Sequence, residues 1–454
     1  MLSLYYRLPY FLKCLIATIR GYILKSNRTL NRDKFLAEIK DRDTWNKKKV
    51  KDFQQELIKE MLAYCIKYVP YYRDYHNEQS KNRNWDPLVL SNWPILEKDV
   101  IRKNPDRFLS EEYKKADLVN ISTSGTSGKP MSFYFSKNAQ SYWYAIYEYR
   151  IKIWNGVNDN DVWANMGGQL VCEIGRSKPP YWVYNYAMNQ LYMSSYHLRP
   201  ENIKDYVNAI TKHNVQFILG YVSSIFTLAH EAVKQNIVLP KLKVIITNAE
   251  PLLDSQREII SNAFGCHVVQ TYSSSEYSFS GNENLKGDMC IWPEVGKMEV
   301  LTENGAIVDY GSGELLATGL VNKAMPLIRY RVGDTIEILK ADKDYLPFDR
   351  IGQIVGRTDD LVTTSTGEKV GRLDPVFKFD LKIKEAQIVQ EDYEIFTVKV
   401  VPDFDFSEKD SLTISNRLKE RVGNNCEVKI VIVNEIPRSK NGKFKAVISN
   451  LKNK

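Results

Sequence analysis

Phe217-Ile218-Leu219-Gly220-Tyr221-Val222-Ser223 decides how this chain folds: a short apolar run meets a glycine turn and passes into a helical pattern lasting to about Gln235. The unit recurs. Val244-Ile245-Ile246-Thr247 leads through Asn248-Ala249-Glu250-Pro251 into a helical pattern to about Phe264, and Val268-Val269-Gln270-Thr271 leads into Tyr272-Ser273-Ser274-Ser275-Glu276. Strands alternating with helices at this spacing predict a parallel sheet with right-handed crossovers. Such sheets bind ligands beyond the carboxyl ends of their strands, so the three polar turns are expected to open onto one crevice.

Upstream lies Ser122-Thr123-Ser124-Gly125-Thr126-Ser127-Gly128-Lys129-Pro130. Gly125 and Gly128 let backbone N–H groups turn inward, the hydroxyls of Ser124, Thr126 and Ser127 add donors, and Lys129 adds charge. Phosphate oxygens need such donors. A Walker A loop has a longer spacer before its Gly-Lys pair and a Ser or Thr after the lysine. Here Gly125 and Gly128 enclose only Thr126 and Ser127, and Pro130 follows Lys129, which excludes that loop. A solvated Gly/Ser turn is the plain alternative, and the loop alone does not choose between them.

At 454 residues the chain is long enough for more than one domain. Residues 1–28 read as an amphipathic basic helix, 29–120 as mostly helical, Phe133-Tyr134-Phe135 as a strand and Ala139 to Ile153 as an aromatic helix. Residues 295–355 change to short strands with glycine turns, which predicts a small β-barrel-like subdomain. Gly356-Arg357-Thr358-Asp359-Asp360 is a polar break, and residues 361–454 read as a compact α+β unit. The expected class is multidomain α/β: a large N-terminal domain with parallel sheet, its β-barrel-like part, and a small mobile C-terminal domain.

A hydrophobic share of 43% and a charged share of 26% exclude disorder. The net charge of +8 sits at the ends: residues 1–28 hold Arg7, Lys13, Arg20, Lys25 and Arg28 without an acid, and residues 437–454 are likewise basic and acid-free. The long interior is slightly acidic, which leaves no broad basic face for nucleic acid. Six scattered cysteines without a CxxC pair point to the reducing cytoplasm, and Cys266, His267 and Cys290 lack a clear fourth zinc ligand. Arg7, Pro9, Lys13 and Arg20 interrupt the apolar N-terminus too often for a spanning helix or a signal peptide. Its helical stripe of Leu12, Leu15, Ile16, Ile19 and Ile23 fits either a helix packed on the protein's own body or one lying at the inner face of a membrane.

Five motifs in order resemble the adenylate-forming superfamily of acyl-CoA synthetases, peptide-synthetase adenylation domains and luciferases. They are Ser122 to Pro130, Tyr272 to Glu276, Tyr330-Arg331-Val332-Gly333-Asp334, Gly356 to Asp360, and Pro437-Arg438-Ser439-Lys440-Asn441-Gly442-Lys443-Phe444-Lys445. Within it the chain is most similar to the phenylacetate–CoA ligase-like branch, especially the adenylating proteins of capsular polysaccharide gene clusters. Tyr192 to Leu198, Gly220 to Ser224, Asn248 to Pro251 and Ala386 to Gln390 carry this finer likeness. Val222 stands where the branch usually has Pro, and Cys290 where it often has His.

The resemblance implies that a carboxylate attacks the α-phosphate of MgATP, expelling pyrophosphate, and that the acyl-AMP then meets a second nucleophile. It implies that Ser124, Gly125, Thr126, Ser127, Gly128 and Lys129 hold the outer phosphates, Ser275 reaches the α-phosphate and Glu276 holds Mg2+. Asn248, Ala249 and Glu250 would line the adenine pocket, Tyr272 would stack on the base, Asp334 would take the ribose hydroxyls and Arg357 would contact ribose or phosphate. Lys443 would bridge carboxylate and α-phosphate, and Asp359 and Asp360 would be the hinge. Tyr196, His197, Tyr221 and Ser223 are the candidates for the acyl pocket. Coenzyme A is one acceptor; an amine or hydroxyl on a sugar or glycan intermediate is the other. A membrane-associated scaffold without catalysis is the reading of another class, against which stand Lys129, Glu276, Asp334 and Lys443.

Overall fold

The computed structural model describes residues 2–123, 131–173, 176–342, 346–357, 362–365, 369–370, 373–377, 381–438 and 444–451. Helices α1 (Leu2–Arg7) and α2 (Tyr10–Arg28) open the chain, separated at Pro9, which has no N–H to continue a helical ladder. Next come α3 (Arg32–Arg42), α4 (Lys47–Tyr68) and α5 (Pro70–Gln79). Val69 is extended because it precedes Pro70, and the proline then opens α5 at its first turn. After α6 (Lys98–Lys103), strands β1 (Val119–Thr123) and β2 (Met131–Phe135) pair antiparallel. The glycine-rich loop between them, Ser124 to Pro130, lies outside the described residues, as do Asp359, Asp360 and Lys443.

The expected aromatic helix is α7 (Lys137–Ile146), capped by Ser136 and prolonged by a π-helical turn, Tyr147–Lys152. Then follow β3 (Trp163–Gly167), β4 (Trp182–Asn185), β5 (Gln190–Ser194), α8 (Ile203–Lys212), β6 (Phe217–Tyr221), α9 (Val222–Lys234), β7 (Val244–Asn248), α10 (Asp254–Phe264) and β8 (His267–Ser273). β6, β7 and β8 are parallel neighbours, as their sequence predicts, and β3 and β5 extend the parallel run on the other side of β6. Both faces of β6 and β7 are covered, so their sequences are continuously apolar instead of alternating. Gly220 permits the close β3–β6 fit, because a Cβ there would lie 2.5 Å from the Met166 carbonyl oxygen.

The stretch expected as a β-barrel-like subdomain is part of that same sheet. After β9 (Ser280–Glu283) and β10 (Met289–Ile291) come β11 (Gly296–Leu301), β12 (Ile307–Val308), β13 (Gly311–Gly319), β14 (Tyr330–Leu339) and β15 (Arg350–Arg357). The sheet has 13 strands in the order β12-β11-β13-β14-β15-β10-β9-β8-β7-β6-β3-β5-β4, with β12 and β4 as open edges. The reason is local. The turn after β8 does not start a helix: Ser274 Oγ accepts from the Ser278 N–H, the chain reverses, and β9 pairs antiparallel with β8. Cys290 opposite Arg350 then joins β10 to β15.

Two buried ion pairs brace this body. Arg150 is fully buried between Glu294 (3.1 Å) and Asp43, with the ring of Trp292 4.7 Å from its guanidinium. Arg329, just before the Tyr330 motif, bonds both oxygens of Glu299 and the carbonyls of Ser91 and Trp93.

β16 (Val362–Thr363) and β17 (Lys369–Val370) lead to a separate four-stranded sheet of β18 (Ile383–Asp392), β19 (Ile395–Pro402), β20 (Glu427–Ile432) and β21 (Val447–Ser449). α11 (Glu408–Val422) covers it through Ile414 and Leu418, giving the expected α+β unit its own core.

Helix α2 packs one face on the body. Cys14 Sγ accepts from the Tyr184 N–H, Thr18 Oγ1 accepts from the Tyr186 N–H, and Gly21 lies so near Asn185 that a Cβ would stand 2.3 Å from its Oδ1. The opposite face is apolar and open: Phe11, Leu15, Ile19, Tyr22 and Ile23 are each more than half exposed. No helix among the described residues is long and apolar enough to cross a membrane.

Candidate active site

The turns after β6, β7 and β8 meet at one crevice. Glu250, in the turn after β7, accepts from the Ser223 N–H (2.7 Å) and the Ser223 hydroxyl (3.0 Å) at the start of α9. It also accepts from the Phe444 N–H at 2.9 Å, across 194 residues of sequence. One carboxylate therefore fastens the C-terminal unit at Phe444, the residue after Lys443 in the sequence, to the strand ends. Around it Arg438 pairs with Glu385 and rests 4.7 Å from the Phe444 ring centre. Burial raises the Glu385 carboxyl above its ordinary value; Arg438 opposes the shift, and Glu250 adds to it.

Ala249 and Tyr277 take left-handed backbone conformations, φ 63° and φ 55°, in the turns after β7 and β8. Side chains with a Cβ adopt that region at a cost of about 1–2 kcal/mol, so the turns carrying Glu250 and Glu276 are held by their surroundings. Asn248 Oδ1 is buried without a hydrogen-bond partner among the described residues, an acceptor suited to the amino group of adenine.

Tyr272 donates to Asp334 Oδ2 at 2.7 Å, so the expected base platform and the expected ribose ligand touch. Asp334 sits opposite Arg357 in the β14–β15 pairing, which brings three motif residues to one place. Tyr330 makes a long contact to Glu276 Oε1, 3.4 Å, while Ser275 is exposed in the turn beside it. Among the described residues no cluster of three or more His, Cys, Asp or Glu could hold a metal. A single hard carboxylate such as Glu276 suffices for Mg2+ that arrives with nucleotide phosphates and keeps its waters.

Tyr196 and Tyr221 come together at the carboxyl end of β3. Tyr196 donates to the Gly168 carbonyl (3.3 Å), and burial raises the Tyr221 phenol, with Glu250 and Tyr196 adding to the shift. His197 departs from the expectation for an acyl-pocket side chain. It is buried, stacked 5.0 Å from Tyr181, with Nδ1 at Ser194 Oγ (2.8 Å) and Nε2 at the Glu173 carbonyl (3.1 Å). Both ring nitrogens serve packing behind the crevice. Lys98 is not among the expected site residues, yet its Nζ reaches the Val332 carbonyl at 2.6 Å, inside the Asp334 motif. No local pattern marks it, because α6 meets β14 only through the fold.

The profile of the CapK C-terminal domain family matches residues 362–450. Protein CapK of Staphylococcus aureus is 29% identical over 463 aligned positions, covering 99% of each chain. Phenylacetate-coenzyme A ligase of Pseudomonas putida is 25% identical, covering 69% of this chain and 72% of its own. In fold, the chain superposes on 2-hydroxyisobutyryl-CoA ligase in its postadenylation state with a TM-score of 0.70 at 18% identity, covering 90% of this chain and 92% of the other. These likenesses match the adenylate-forming superfamily of ligases. Within it, the similar proteins match the phenylacetate–CoA ligase-like branch.

Proposed function

We propose that this chain activates a carboxylic acid by adenylation and then passes the acyl group to coenzyme A. In the first step a carboxylate oxygen bonds to the α-phosphorus, the bond to the β-phosphate oxygen breaks, and pyrophosphate leaves. In the second a thiol sulfur bonds to the acyl carbon, AMP leaves, and the thiol proton goes to solvent. The observation that carries the reading is Glu250 holding the Phe444 N–H, because it supports delivery of Lys443 to the strand ends. There an ammonium would offset charge growing on the α-phosphate, a contribution of about 3–4 kcal/mol for a well-placed donor.

In this reading Ser124 to Lys129 cradle the β- and γ-phosphates, Ser275 meets the α-phosphate, and Glu276 holds Mg2+. Asn248 and Glu250 border adenine, Tyr272 and Asp334 take base and ribose, and Arg357 lies beside them. Tyr196, Tyr221 and Ser223 border the acyl group. The C-terminal unit turns about Asp359–Asp360 between the half-reactions. ATP–pyrophosphate exchange with a panel of acids tests adenylation, and a chain that exchanges with none is not an adenylating enzyme. Incubation with coenzyme A or with amino sugars, read by product mass, separates the thioester route from transfer to an amine or hydroxyl.

The outward apolar face of α2, within an acid-free stretch, supports a peripheral seat on an anionic membrane. Sedimentation with phosphatidylglycerol vesicles tests it; a chain left in the supernatant has no such seat.

A further inference from the structure

A cavity of about 640 Å3 lies between the inner face of α2 and the sheet. It runs along β3. At the amino end of that strand, Trp163 Nε1 donates to the Met188 carbonyl and Lys25 to the neighbouring Ala187 carbonyl. At the carboxyl end it reaches Gln169, next to the Gly168 carbonyl that holds Tyr196. At ~3.3 Å per residue the five-residue strand sets these ends about 13 Å apart. The near end of the cavity thus adjoins the candidate acyl site through Gly168 and Gln169, and the far end lies a strand's length away.

The walls are aromatic: Trp143, Tyr144, Tyr147, Trp163 and Tyr192. Along its length Asn165, Gln169 and Gln190 present side-chain amides that bond to no described residue. The charges at the far end do not balance. Glu148 is taken by Arg32, and Asp159 by Lys152 and Arg32. Arg20, Lys25 and Arg28 also line the slot and pair with no carboxylate among the described residues. Arg28 lies 4.0 Å from the Tyr144 ring centre, and its Nε is buried without a hydrogen-bond partner among the described residues. Burying a guanidinium donor without an acceptor is unfavourable, and a bound anion removes that cost.

Resting on the adenylation reading, we infer that the acid activated at the strand ends is elongated and carries a second anionic group at its far end, held by Arg28 with Lys25 and Arg20. The amides of Asn165, Gln169 and Gln190 meet polar groups along its middle, and α2 closes the slot.

Trp143 and Trp163 provide a direct readout of occupancy. Tryptophan fluorescence of the full chain is titrated with suberic and sebacic acids and, as controls, with octanoic and decanoic acids; pyrophosphate exchange is measured in parallel. The diacids are expected to bind about tenfold tighter than the monoacids. Arg28→Met removes that preference without weakening the monoacids, and Arg28→Lys, which keeps the charge, retains part of it at an unchanged melting temperature. Equal binding of both series, or an Arg28→Met variant that weakens both alike, overturns the inference. Diacid preference without exchange for any acid upholds the slot and overturns adenylation. Exchange with monoacids and no effect of Arg28→Met does the reverse.

Discussion

The crevice at the strand ends and the slot under α2 share strand β3 but are built on opposite terms. In the crevice the carboxylates already have protein partners: Asp334 has Tyr272, and Glu250 has Ser223 and Phe444. Groups fixed before the ligand arrives need no reorganisation during reaction, which suits a step whose charge development is the same for every acid. In the slot, three amides and the Nε of Arg28 have no partner among the described residues. Groups left unpaired discriminate, because a ligand that fails to satisfy them leaves their burial uncompensated. The difference separates chemistry from choice of substrate.

The sharpest test of that separation is Lys443→Ala. It is expected to lower pyrophosphate exchange by about 10²–10³-fold while leaving acid binding, read by tryptophan fluorescence, unchanged. Full exchange in the variant removes Lys443 from the reaction. Arg150→Met attacks both regions through the body they share. It leaves Glu294 and Asp43 facing each other without their cation and should cost about 3–5 kcal/mol in denaturant titration, with crevice and slot lost together. A smaller effect is expected from Glu250→Gln, which weakens the hold on Phe444; adenylation should slow about tenfold at unchanged melting temperature.

The mildest effect concerns docking of the C-terminal unit. Asp403 meets Lys234 and His230 on α9. Burial alone would raise its carboxyl, but the bond to Lys234 and the charges of Lys234 and His230 outweigh it and set it below the ordinary value. A depressed carboxyl contributes above its unfolded pKa and loses that contribution as pH falls through the folded one. Lys234 is 37% exposed, so the pair is worth no more than about 0.5 kcal/mol. Asp403→Asn should leave exchange at neutral pH within about twofold and flatten the loss of docking, measured by limited proteolysis, below the ordinary carboxylate range.

The crevice was legible in the sequence because its chemistry requires particular residue types at particular turns. β6, β7 and β8 fall where their apolar runs predicted, Tyr272 touches Asp334, and Glu250 holds Ser223 in the neighbouring turn. The slot was not legible. β3 and β5 carry Asn165 and Gln190 into it, which breaks the apolar pattern that marks a buried strand. The union of the parallel strands with β9–β15 depends on the reversal at Ser274–Ser278 and on the Cys290–Arg350 pairing, both tertiary facts. His197 kept its place in the family likeness, but its ring packs against Tyr181.

The left-handed backbone at Ala249 has a consequence for directed evolution. Glycine at that position would relieve about 1–2 kcal/mol of steric cost and give back about 0.5–1 kcal/mol as greater freedom of the unfolded chain. Stability would scarcely move, yet the turn that aims Glu250 would be freer, leaving its direction to the bonds from Ser223 and Phe444 alone. A library ranked by melting temperature would pass Ala249→Gly as neutral, and one ranked by turnover would reject it.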